Sequence, residues 1–107
     1  MSALPGTYEN SNLGATLTIA DANDANGEIK SATGNYNGRK FSGNGHYHFK
    51  NGTGPTTDIV INAFNDGVGY VTLALTAADM QFHELKSFGG YVDFDAKAVG
   101  LGGSFVK

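Results

Sequence analysis

Two histidines stand two residues apart in the stretch GNGHYHFKNG, residues 43–52. In an extended strand such residues share a face, so His46 and His48 point one way and Tyr47 and Phe49 the other. A pair of this kind binds zinc or another transition metal when a neighbouring strand supplies a third ligand. His83 is the one remaining histidine, and Glu84, Asp93 and Asp95 are possible carboxylate ligands. The plainer arrangement packs Tyr47 and Phe49 inward and leaves both histidines in water, and it needs no long-range convergence. No resident metal is expected; His46, His48 and His83 are the candidates if the strands do converge.

DANDANGE, residues 21–28, evokes a calcium loop, but with Gly27 in the glycine slot the first ligand position falls on Ala22 and the bidentate one on Thr33. A hairpin turn at Asn26-Gly27 with a polar approach accounts for the segment. Asp93 and Asp95 share one face of YVDFDA. At a separation of roughly 6–7 Å they suit a glycosidase pair or a cation site, although a strand with one wet face is the expected reading. There is no cysteine and no G-x-S-x-G elbow, so thiol chemistry is excluded and no serine nucleophile is marked. The glycines of SFGGYV and VGLGGSF precede no helix that would cradle a phosphate. Catalysis is not expected, and no cofactor is implied.

Tyrosine, asparagine, aspartate and threonine are the chemical resource left. Tyr8, Tyr36, Tyr47, Tyr70 and Tyr91 suit the stacking and hydrogen bonding of sugars or the lining of a polar cavity, or else serve as ordinary strand residues at the core rim.

These side chains have to be positioned by strands. The chain of 107 residues holds Gly 16 against Pro 2, no sustained helical periodicity, and Asn-Gly or Asp-Gly pairs at 26–27, 37–38, 51–52 and 66–67. Between the turns, alternation marks strands at residues 6–10, 15–21, 28–36, 39–50, 57–65, 68–76, 80–86, 91–96 and 98–106. Gly89-Gly90 is read as a break, and the long 39–50 segment is expected to bend near Gly43–Gly45. Hairpin-length links predict antiparallel neighbours throughout. The expected fold is all-β, one domain over residues 1–107: a small antiparallel up-and-down β-barrel of about eight strands, with a β-sandwich as the alternative.

The segment GTYENSNLGATLTIADANDANGEIKSATGNY, residues 6–36, resembles the opening of the avidin/streptavidin family. FSGNGHY, residues 41–47, is similar to that family's strand with a small-Gly-x-aromatic pattern. The resemblance covers roughly a third to two-fifths of the chain and implies an eight-stranded barrel. It matches Asn10 to the family's early ureido-binding Asn and brings Tyr36 near its ureido-binding Tyr. The family's tryptophan cage has no counterpart, since the chain has Trp 0, and the late Asp has no matching position. Tight biotin binding is therefore not expected.

A formal net charge of -3, one arginine (Arg39) and scattered lysines exclude a basic nucleic-acid or membrane footprint. MSALPGTYEN carries no signal-peptide pattern and no apolar run reaches 18 residues, so a soluble protein is expected without assignment of its compartment. The function expected is a non-catalytic binding module holding a small polar molecule or glycan at the barrel's open end, near Asn10, Tyr36 and Tyr47. The alternatives are a protein-interaction domain using the outer sheet face and a metal-dependent enzyme at His46/His48. Self-association into a homo-oligomer is expected through a flat face.

Overall fold

The computed structural model describes residues 4–12, 14–23, 25–36, 38–49, 57–65, 69–77, 81–94, 97–100 and 102–107; at 49, 57, 88–94 and 97–100 it describes the backbone. Nine strand segments follow one another: β1 Gly6–Asn10, β2 Ala15–Asn23, β3 Glu28–Tyr36, β4 Arg39–Phe49, β5 Thr57–Asn65, β6 Gly69–Ala77, β7 Glu84–Phe94, β8 Lys97–Gly100 and β9 Ser104–Val106. Every pairing among the described residues is antiparallel, and each of β1 to β7 pairs with the strand that follows it. β9 closes the ring by pairing with both β7 and β1. The result is a closed eight-stranded antiparallel barrel in which β8 and β9 are two pieces of one returning strand, both on β7.

Alternation produces this wall directly. In β6, GYVTLALTA, the side of Val71, Leu73 and Leu75 is buried while Thr72, Ala74 and Thr76 lie half-buried outside. The same phase sends Leu17 and Ile19 inward from β2 and Ile59, Ile61 and Ala63 inward from β5. Together with Ile29, Phe41, Tyr47, Leu85 and Phe105 they form one core cluster inside the barrel. Eight strands enclose a space just wide enough for side chains to fill.

Two segments depart from the sequence expectation. Gly89-Gly90 does not break the chain: β7 runs through it, and the register on β6 passes from Ala74↔Gly89 to Leu75↔Ser87. Phe88 is thus the extra residue of a β-bulge, which bends a strand without ending it. Conversely, the last expected strand, 98–106, is described as two segments, β8 Lys97–Gly100 and β9 Ser104–Val106. The predicted bend near Gly43–Gly45 coincides with a second bulge, since Ile29↔Gly45 and Ala32↔Gly43 leave Lys30 and Ser31 opposite the single residue Asn44.

The β2–β3 connection is longer than a two-residue Asn-Gly turn. Asn23 Oδ1 accepts from Ala25 N–H at 2.9 Å and Asn23 O from Gly27 N–H at 2.8 Å. Gly27 has φ +72 and a Cβ there would meet Tyr47 O at 2.2 Å, so only glycine fits. The turns at 51–52 and 66–67 lie outside the described residues.

Leu4 and Phe82 are fully buried beyond the strand ends, and Tyr8 joins them, donating from its hydroxyl to Leu4 O. Burial pushes the Tyr8 phenol up to about 12. A raised folded pKa of this sign means stability is intact below the ordinary phenol value near 10 and is lost as pH rises through about 12. Tyr8→Phe is expected to cost about 1 kcal/mol at neutral pH for the lost hydrogen bond. Urea titrations between pH 9 and 12 should then show a shallower alkaline loss in the variant than in the parent; parallel curves would refute the assignment.

Candidate binding surface

The register fixes where the expected site residues lie. Asn10 pairs with Ala15, and Ala15 with Tyr36, so Asn10 and Tyr36 occupy one row at one end of the barrel. Tyr36 is half-buried and packs against the core. Asn10 is only 2% exposed, and its Nδ2 donates to Gly102 O at 3.0 Å, which ties β1 to the segment before β9. Tyr47 belongs to the other end: it is buried opposite Ile59, and its N–H donates to Gly27 O at 2.8 Å in the β2–β3 loop. From Arg39, which pairs with Tyr36, to Tyr47 the strand advances roughly 26 Å. The structure therefore places Asn10 and Tyr36 in one row and separates both from Tyr47 by core residues such as Ile61 and Leu73.

His46 and His48 stand exposed on the outer wall, with Tyr47 buried between them. Glu28 and Val60 flank His46 across the strands, and Asp58 lies opposite His48. His83 is exposed on the approach to β7. Among the described residues no group of three or more His, Asp or Glu side chains is placed to hold a metal ion. Asp93 lies on the β7 backbone opposite Tyr70, and Asp95 is outside the described residues.

Described residues form grooves on the barrel's exterior, three of which bear on the site. One of about 800 Å³ follows the β1–β9 seam, between Glu9, Asn12, Ser104 and Lys107. A second, of about 400 Å³, overlies the β3 bulge beside Lys30, Asn44 and His46. The third, of about 540 Å³, lies across β2, β3, β4 and β5 and is bordered by Phe64.

The Phe64 groove is built by outward phases of adjacent strands. Thr18, Thr33, Ser42, Phe64 and Tyr70 form one continuous cross-strand row, extended at its start by Thr7. Thr7 and Thr18 share a hydrogen bond of 3.0 Å between their hydroxyls. The next row supplies Thr16, Asn35 and Lys40. Asn65 Nδ2 donates to Lys40 O and so pins the end of β5 to β4 beside the groove. Phe64 is 61% exposed, and its ring lies 6.4 Å from that of Tyr70 at a tilt of 46°.

Chemically, this wall combines an apolar ring face, hydroxyls, an amide and one ammonium, with no carboxylate in the lining. Such a surface can stack a ring and hydrogen-bond its substituents. The sequence reading overlooked Phe64 because it weighed the tyrosines alone. The signal was present: in TDIVINAFN an aromatic falls on the phase of Val60 and Asn62, opposite the phase of Ile59, Ile61 and Ala63.

No family model matches the chain, and neither a curated protein nor a solved structure matches it.

Proposed function

We propose that this protein is a non-catalytic binding module that takes a small polar molecule or glycan on the outside of its barrel, not within an open end. The observation that carries this reading is the occupied interior. Among the described residues, apolar side chains from β1 to β7 and from β9 meet there, with Leu4 and Phe82 buried beyond the strand ends beside Tyr8. The Phe64 groove offers the best-furnished alternative, because it joins exposed aromatic surface to several hydrogen-bonding groups. The avidin-like segment fits as a scaffold, with Asn10 serving the seam through Gly102.

A thermal-shift screen against biotin and its relatives, divalent metals, and mono- and oligosaccharides tests the reading. A ligand at about 100 times its Kd adds about 2.7 kcal/mol, which is plain in a domain of this size. Any small-molecule ligand found is expected to stabilise Tyr36→Ala as it does the parent. Loss of the shift in Tyr36→Ala would return the site to the barrel end.

A protein-interaction reading is favoured by one feature. On the outer faces of β4, β5 and β6, the block from Ser42 to His46, Val60 to Phe64 and Tyr70 to Ala74 carries no Asp, Glu, Lys or Arg. Val60, 46% exposed, and Phe64 lie within it, so a second copy could meet this face without like-charge repulsion. Light scattering on the eluting protein would reveal the homo-oligomer this implies.

A further inference from the structure

Of the exterior grooves, the seam groove has its buried Asn10 amide already committed to Gly102, and the bulge groove is flanked by the Glu28–Lys30 ion pair at 4.0 Å. The Phe64 groove differs from both. Its lining is hydroxyl and amide on one side and an aromatic face on the other. We infer that it is a subsite for an oligosaccharide, with one pyranose ring stacked on Phe64 and the next reaching Ser42, Thr33 and Asn35. This rests on the exterior-binding reading above and gives its ligand a chemical class.

Thr33, Ser42 and Phe64 lie directly across from one another on β3, β4 and β5. Adjacent strands are about 4.8 Å apart, so these side chains follow one another at a step comparable to the advance of a sugar ring along an extended chain. A pyranose presents axial C–H groups on its faces and hydroxyls around its rim. The faces suit an aromatic ring whose other contacts are already made, and Phe64 is backed by Tyr70. The rim suits groups that both donate and accept, as threonine and serine hydroxyls do. Asn35 lines the groove, and its Oδ1 accepts from Gly38 N–H at 2.9 Å, which fixes the amide; its N–H groups are donors suited to a sugar hydroxyl. Lys40 adds an ammonium donor that reaches a ring hydroxyl or, in a uronic sugar, a carboxylate.

The surroundings select against other small ligands. A phosphate or nucleotide would find a single cation and no helix N-terminus, because the described residues contain no helix. A wholly apolar ligand would strand the Thr16, Thr33 and Ser42 hydroxyls and the Asn35 amide. An isolated exposed phenylalanine would call for no explanation, but one bordering a hydroxyl-lined groove does.

Isothermal titration with cellohexaose, xylohexaose, chitohexaose, maltohexaose and a trigalacturonate tests the inference and separates neutral from uronic sugars. At least one is expected to bind the parent. Phe64→Ala should weaken that binding by about tenfold or more, the scale of one aromatic contact, while Phe64→Tyr restores it and Thr33→Val weakens it less. Circular dichroism and urea midpoints show that each variant is folded. Equal affinity in Phe64→Ala, or no binding of any of the five at millimolar concentration, would overturn the inference. Should a different small molecule stabilise the protein in the thermal screen, the binding-module reading survives and the saccharide does not. Light scattering in which Phe64→Ala converts a dimer to a monomer would likewise overturn it, by assigning the face to a second copy.

Discussion

Gly43→Ala is expected to destabilise the protein by about 3 kcal/mol, near the upper end of overpacking costs. Position 43 faces inward on β4, and a Cβ built there lies 2.0 Å from Asn62 O and 2.5 Å from Ala63 Cα. Both obstacles are backbone of β5, so no side-chain rotation relieves them. Gly45, two residues along, meets Val60 O at 2.1 Å in the same manner. The strands approach this closely because β3 bulges opposite Asn44 and the wall coils sharply there. For a domain of this size the melting temperature should fall by more than about 10 °C. Gly102→Ala is the control, since nothing lies within 4 Å of its added methyl. A Gly43→Ala protein melting with the parent would show that the glycines do not set the curvature of the wall.

At Phe82 the normal order of alanine and glycine should invert. Phe82 is 1% exposed, and it is the one non-glycine residue with positive φ, 54°, among those described. Removing the ring with Phe82→Ala should cost about 3–5 kcal/mol, because the cap over the barrel end becomes a cavity. Alanine also retains the penalty of the left-handed backbone, which glycine lacks. Phe82→Gly is therefore expected to be about 1 kcal/mol more stable than Phe82→Ala, although glycine is normally the worse residue. Urea unfolding of the two variants side by side measures the difference. If alanine is equal or better, the backbone at 82 is not held in that conformation.

How much of this was legible depends on what kind of signal a residue carries. β3 and β5 run over the expected residues 28–36 and 57–65, because alternation and flanking turn residues agree there. The inward phase of Tyr47 between two exposed histidines follows from period-two geometry alone. Gly89-Gly90 was misread because a glycine pair signals a turn and a bulge equally, and only the partner strand decides between them. Asn10 and Tyr36 share a row through the pairings of β1, β2 and β3, whereas Tyr47 resembled a third member until the length of β4 set it apart. How tightly the inward side chains of the described residues pack was not legible at all. Alternation says which side chains point inward, but whether facing walls leave room between them depends on strand number and shear.

Phe64 shows the same limit from the outside. Its phase in TDIVINAFN could be read from the chain, but its value comes from Ser42, Thr33 and Asn35 on two other strands. That neighbourhood exists only once the register is known.

The proposed binding of ligand on the exterior wall, outside the packed core, can be mapped directly. The most direct measurement is a map of amide and side-chain NMR shifts on titrating isotope-labelled protein with the saccharide that binds best. Perturbations should gather at Thr16, Thr33, Asn35, Ser42 and Phe64, with Asn10, Tyr36 and the core residues Ile59 and Leu73 left in place. Perturbations centred on Asn10, Tyr36 and the core, with Phe64 and Thr33 unmoved, would contradict it and place the ligand inside the barrel.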